Sequence, residues 1–317
     1  MPASTTSSST KILLIGAGEL GTSFLPHLPT LPHVEITIGV RTPANYTHLA
    51  SNGFSLLALD LTSDSQKLAE EFARYDILIS ATGFGQDPDS VKKLAYEALE
   101  AGKLKKSRGE DRLWFFPWQW GVDYDITGDG QGLMPLFGAQ KVVRDLLRAE
   151  AEAANVKWTV VSTGIFMSFL FEPFWGIVDR SKEEDKGRVV VRALRNGQHK
   201  VTVTDVFDIG RVLTRIVAGD VDAENKVVYV AGDVVSYDEL ADIVEKVSGN
   251  EVEKEVWSVP HLEEELHEDP EDGLKKYRLV FARDGVWWDK ERTVNEQLGM
   301  GMMHVEEYAT ELFRRSA

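Results

Sequence analysis

The sequence predicts an α/β protein, a doubly wound parallel sheet with a smaller mixed C-terminal region. Three observations carry this. Ile12-Leu-Leu-Ile15 is a short apolar run that leads directly into Gly16-Ala-Gly18-Glu-Leu-Gly21. A second strand-like run, Val34 to Val40, ends at Arg41, about 20 residues after the glycines, where a dinucleotide-binding unit reads the ribose. From residue 11 to about 165, strand-like and helix-like segments alternate, as in a Rossmann sheet covered on both faces.

The run Ile12 to Ile15 suits a parallel strand buried on both faces. In G-x-G-x-x-G after a strand, Gly16 permits the tight turn, Gly18 lets backbone approach a pyrophosphate, and Gly21 allows helix to pack on strand. The helix that starts at about Glu19 and continues through Leu20 directs unpaired N–H groups at the phosphates. The second strand selects the cofactor. NAD enzymes usually place Asp or Glu here; this chain has Arg41, a fork that pairs with a 2′-phosphate and stacks on adenine. The expected cofactor is therefore NADPH, with Thr42 and Asn45 as neutral donors nearby. The alternative for Arg41 is an ordinary solvated arginine.

Gly53 to Asp60 reads as the third strand, with Asp60 and Leu61 at its carboxyl end, either touching the adenine or simply opening a turn. Ser65 to Arg74 reads as a helix, and Tyr75 to Gly83 as the fourth strand with its turn. Small residues at Ala81, Thr82 and Gly83 would let backbone approach the ribose and nicotinamide. Val91 to Gly102 is the next predicted helix, and Lys103 to Arg108 reads as a solvated basic patch. Arg112 to Pro117 is strand five, running into the aromatic loop Trp118-Gln-Trp120-Gly-Val-Asp-Tyr124-Asp125. Leu136 to Ala154 forms a long amphipathic helix carrying Lys141. Lys157 to Gly164 is strand six, followed by Ile165 to Trp175, in which Phe166, Met167, Phe169, Phe171, Phe174 and Trp175 make a run too long for one apolar face. Part of that segment is expected to line a cleft.

Beyond it, Lys200 to Val203 and Lys226 to Val230 read as strands and Val206 to Val217 as a helix, with Asp205 and Asp208 as capping acids. Ser236-Tyr-Asp-Glu239 is a capping box that opens a helix through Val247. Glu251 to Asp272 is strongly acidic and reads as an exposed helix or loop. The expected division is a tail over 1–10, a dinucleotide-binding domain over 11–165, and a substrate-binding region over 166–317 with about 200–232 packing back on the first.

Composition narrows function by exclusion. A net charge of −16 opposes broad affinity for nucleic acid or anionic membrane, so any anionic ligand must be held by local groups. Without cysteine there is no thiolate site, and no metal is expected. No apolar segment has the length of a bilayer span. These features fit a cytoplasmic protein.

With these residues in place, the chain resembles the NmrA-like group of atypical short-chain dehydrogenases, most of all its isoflavone reductase and phenylcoumaran benzylic ether reductase branch. The shared points are the glycine motif, Arg41, the strand-five signature, Lys141 and the Gly164-x-Phe166 turn. The family signature Phe-x-Pro-Ser-Glu-Phe-Gly is Phe115-Phe-Pro-Trp-Gln-Trp-Gly121 here, so the pocket wall differs at residues 118–120. The resemblance implies an active-site lysine at Lys141, whose bland alternative is a surface helix residue, and places Gly164 and Phe166 beside the nicotinamide. The usual Tyr-x-x-x-Lys is Phe137-Gly-Ala-Gln-Lys141, and Phe137 has no proton to give. Proton delivery then falls to Lys141, to a water it holds, or to Tyr124. Trp118, Trp120, Phe166, Phe169, Phe174 and Trp175 are the expected contacts of a small aromatic substrate. The competing expectation is a non-catalytic NADP(H) sensor that docks a protein partner. An isomerase is disfavoured by the missing tyrosine, and a homodimer is left open.

Overall fold

A strand that is apolar over four successive residues belongs inside a sheet, and β1 (Thr10–Ile15) lies there, with Ile12, Leu13 and Leu14 fully buried. The computed structural model describes residues 9–82, 87–181, 183 and 187–315. β1 pairs in parallel with β2 (Val34–Val40) on one side and β4 (Ile77–Ser80) on the other. β3 (Ser55–Ala58) extends the sheet beyond β2, while β5 (Leu113–Phe116) and β6 (Val156–Ser162) extend it beyond β4, all in parallel. The strand Lys226–Tyr229 forms the far edge, giving the order edge, β6, β5, β4, β1, β2, β3. The switch point of this doubly wound order lies between β1 and β4, where such sheets open a crevice at their carboxyl ends.

The crossovers are α1 (Glu19–Phe24), α2 (Thr47–Ser51), α3 (Ser65–Phe72), α4 (Pro88–Ser107), α5 (Tyr124–Thr127) and α6 (Pro135–Glu150). α3 begins where the Asp64 carboxylate accepts from Lys67 N at 3.1 Å, and it packs against α4. The basic patch is exposed at Lys103, Lys106 and Arg108, as expected, but is corrected at Lys105. α4 continues through Ser107, and Lys105 is buried with its ammonium 3.1 Å from Glu110 and 3.5 Å from Asp76. A lysine in a basic run reads as solvated, but its alkyl stem covers apolar surface while two acids meet its head.

The chain divides into two compact units. One comprises the residues up to Gln119 with Ala139–Val161 and Gly210–Val228; the other comprises Trp120–Gly138, Ser162–Ile209 and Tyr229 onward. In the second unit Lys200–Thr204 pairs antiparallel with Asp233–Ser236 and in parallel with Ile165–Phe166. The capping box forms as expected: Ser236 N donates to Glu239 Oε2 at 2.8 Å, and Glu239 N to Ser236 Oγ at 3.2 Å.

The acidic segment 251–272, expected as an exposed helix or loop, is corrected over residues 251–257 and follows that expectation beyond them. Glu251–Trp257 is a strand that pairs in parallel with Arg188–Leu194, and Val259–Glu268 is a helix capped by Ser258. Arg188 lies 3.4 Å from both Glu251 and Glu253, and Arg192 meets Glu255 at 2.7 Å and Asp179 at 3.2 Å. The glutamates alternate with Val252, Lys254 and Val256, a period of two whose charge concealed its strand character.

Candidate functional site

The carboxyl ends of β1, β2, β3 and β4 open onto a groove of about 740 Å³. Its floor is Ile15, Gly16, Ala17 and Gly18; Gly39 to Thr42, Asn45 and Tyr46 line one side, Leu59 to Thr62 another, and Thr82, Asp87 and Ser90 complete it. The glycine positions are dictated by space. Gly16 has φ +101°, and a Cβ on it would lie 2.5 Å from the Ala81 carbonyl oxygen. On Gly21 a Cβ would lie 2.3 Å from the Gly16 carbonyl oxygen. Gly18 has nothing within 4 Å of its missing Cβ, so open space lies above its backbone.

The structure therefore gathers Gly16, Gly18, Arg41, Asp60, Leu61 and Thr82 around one groove, while Ala81 and Gly21 support the turn from behind. Leu20 is buried in α1, and Glu19 is its exposed first residue. Gly83 lies outside the described residues. Arg41 is exposed on the rim. The Asp60 carboxylate accepts from Thr62 N at 2.9 Å and Thr62 Oγ1 at 2.8 Å. Those two bonds hold its carboxyl below the ordinary range, with further help from the charges of Arg41 and Lys93. Tyr46, Asp87 and Ser90 are groove residues that sequence reasoning did not single out; only their nearness to the carboxyl ends of strands marked them.

Lys141 does not line the groove. It sits half-buried on α6, and its Nζ donates to Asp145 Oδ2 at 2.6 Å. That bond is the chief cause of the lowered Asp145 carboxyl, with Arg148 adding at 3.2 Å. The departure at Gln119 acquires a structural role next to it. Arg144, fully buried, donates from Nε to Gln119 Oε1 at 2.8 Å; Gln119 Nε2 donates to the Gln140 carbonyl at 2.9 Å; Gln140 Nε2 donates to the Trp118 carbonyl at 2.7 Å. The loop after β5 is thus tied to the helix that carries Lys141.

In the second unit the rings form a cluster. Tyr124 meets Phe137 edge-on at 5.1 Å, Phe137 meets Tyr277 at 5.7 Å, and Trp175 meets Tyr277 at 5.3 Å. Phe169 contacts Phe174 at 5.2 Å, and Phe174 is 52% exposed. Trp175 corrects the sequence expectation: it is fully buried against Phe169, Tyr277 and Phe281, so its ring belongs to the core. Trp120 is also buried, whereas Trp118, Phe166 and Phe169 are partly accessible. Burial, with Tyr124 adding, pushes the Tyr277 phenol far above its ordinary range. Tyr277 was missed because a tyrosine on an amphipathic helix carries no local signal. Gly164 has φ +73°, and a Cβ there would lie 2.0 Å from the Thr202 carbonyl oxygen, so the turn after β6 admits only glycine.

The strand order and the glycine turn define the Rossmann-like class of α/β proteins. Residues 8–309 match the NmrA-like family, and the chain belongs to it. It is 36% identical over 315 residues to an NmrA-like family domain-containing oxidoreductase of Gibberella moniliformis (strain M3125 / FGSC 7600), covering 95% of this chain and 97% of that one. An isoflavone reductase homolog IRL of Zea mays is 29% identical over 83% of this chain and 82% of its own. Among solved structures, AtPrR2 with NADP⁺ and (+)pinoresinol superimposes with TM-score 0.74 at 19% identity, over 96% of this chain and 99% of that one. Among the described residues no helix is long and apolar enough to cross a membrane, and no acid–histidine cluster has the makeup of a metal site.

Proposed function

We propose that this protein is an NADPH-dependent reductase of a small aromatic compound, of isoflavonoid, phenylpropanoid or polycyclic type. The observation that carries the proposal is the groove itself, a glycine turn at the switch point with Arg41 on the rim where the second strand ends. Its residues suit the dinucleotide. Open space over Gly18 admits a pyrophosphate to the backbone, and the guanidinium of Arg41 answers a 2′-phosphate in a chain otherwise rich in negative charge. Asp60 and Leu61 would border the adenine, and Thr82 the ribose. When bound, NADPH supplies the hydride. Lys141 assists proton delivery, its ammonium held by Asp145 until substrate arrives. Phe166, Phe169 and Phe174 offer an aromatic surface to the acceptor. The maize relative's name and the ligands of the solved neighbour support this substrate class.

A second reading rests on Phe137, which is buried between Tyr124 and Tyr277 where the usual short-chain dehydrogenase has its proton-donating tyrosine. That substitution favours an NADP(H)-sensing protein without turnover. The test is a titration of the purified chain with NADPH, NADP⁺ and NADH, followed by tryptophan quenching, and then a screen of aromatic acceptors for NADPH oxidation. Tight NADPH binding with turnover supports the reductase. Binding of both NADP(H) forms with equal affinity and no turnover across the screen selects the sensor, and absence of binding overturns both.

A further inference from the structure

We propose that Lys93, which is not part of the groove lining, is the positioning residue that latches the adenine-side wall of the groove; this rests on the dinucleotide reading above. That wall is the segment Leu59 to Thr62, which follows β3. Sheet pairing leaves it early. The β2–β3 register ends at Val40 and Ala58, and the last bond to β2 is Leu59 N to the Val40 carbonyl at 3.0 Å. Beyond that point the chain closes a turn on itself, with Ser63 N donating to the Asp60 carbonyl at 3.0 Å.

Lys93, on α4, ties this turn down. Its Nζ donates to the Leu61 carbonyl at 3.0 Å and to the Ser63 carbonyl at 3.0 Å, and its third partner is the carboxylate of Glu97 one helical turn on. An ammonium has three N–H donors, and all three have a protein acceptor. Glu97 is buried, and that burial raises its carboxyl, while the bond from Lys93 opposes the rise. The positive charge also lies close enough to Asp60 to help hold that carboxylate ionised. The latch thus joins two parts of the fold: α4 supplies the cation and its counter-charge Glu97, and the wall supplies two carbonyls. Three acceptors converging on one point suit a compact ammonium, whereas the flat fork of arginine spreads its donors apart. A latch of this kind acts on the adenosine half of a dinucleotide, which NADPH and NADH share, and so sets affinity without choosing between them.

The experiment compares the full-length wild type with Lys93→Met, Lys93→Met/Glu97→Gln, Lys93→Arg and Arg41→Ala, by tryptophan quenching with NADPH and NADH and by urea unfolding. Lys93→Met strands a buried carboxylate and loses stability; the added Glu97→Gln removes that stranded charge and restores most of it. Both variants are expected to bind NADPH and NADH about tenfold more weakly, by the same factor for each, because the two wall carbonyls stay without their donor. Lys93→Arg recovers part of the loss, while Arg41→Ala instead abolishes the preference for NADPH. A double variant that is stable and binds both cofactors like the wild type overturns the latch, as does a loss confined to NADPH. Wild type that binds neither cofactor overturns the function proposed above, an outcome separate from normal wild-type binding with an indifferent Lys93→Met.

Discussion

Arg41 and Asp60 put opposite charges on the rim of one groove, and only the guanidinium can face a phosphate. Replacing Arg41 with alanine removes a charge-assisted contact of about 1.5–3 kcal/mol, so NADPH affinity should drop roughly 10- to 150-fold while NADH binding hardly changes. A preference for NADPH that survives the change would mean that another group reads the 2′-phosphate. Lys141→Met is expected to lower kcat about 100-fold with little change in NADPH affinity, because the proton is delivered at the acceptor. Unchanged turnover would return Lys141 to the role of a surface residue paired with Asp145. Groove residues marked by their place after a strand, such as Gly16, Gly18, Arg41 and Thr82, were legible in the sequence. Lys93 and Tyr277 were not, because a helix lysine and a helix tyrosine acquire meaning only from what the rest of the chain sets beside them. Trp175 was misread for the same reason: a ring in an aromatic run serves core or cleft equally well until its neighbours are known.

At the scale of elements, the glycine turn separates folding from binding. A methyl on Gly21 runs into the Gly16 carbonyl, a fixed backbone atom, and Gly21→Ala should cost about 1–3 kcal/mol of stability. Gly18→Ala meets nothing, so stability should stay within about 0.5 kcal/mol while the methyl intrudes on the space proposed for the pyrophosphate and NADPH binding weakens. Urea unfolding beside cofactor titration checks both, and a Gly18→Ala protein that binds normally would remove the phosphates from that turn. The elements of the sheet were readable because buried parallel strands are written as apolar runs punctuated by small-residue turns. Glu251–Trp257 escaped because an edge strand whose alternate positions are glutamates looks like a solvated loop, and the arginines that neutralise it lie some sixty residues earlier in the chain.

At the scale of the whole molecule, stability should depend on pH through a buried imidazole. His199 is 7% exposed, stacks on Tyr237, and its Nε2 lies 2.9 Å from the Phe281 carbonyl. Burial lowers its pKa, Arg195 adds to the effect, and the Phe281 carbonyl and Asp284 oppose it. The folded chain thus prefers the neutral ring. Its contribution is complete above the unfolded value near 6.5 and is lost as pH falls toward the lower folded value. The urea midpoint should therefore fall between pH 7.5 and 5.5, and less so in His199→Gln; equal slopes in the two proteins would assign the dependence to other groups. The path of the chain through the first unit has its own consequence. Among the described residues, those that line the groove lie between Ile15 and Ser90, yet the strand that closes the sheet beyond β6 is Lys226–Tyr229. While a ribosome makes residues 163 to 225, β6 waits with Val156, Trp158, Val160 and Val161 along an open edge. Its unpaired backbone would be exposed to other strands during that interval, so the nascent chain should need a chaperone most just before its last sheet strand emerges.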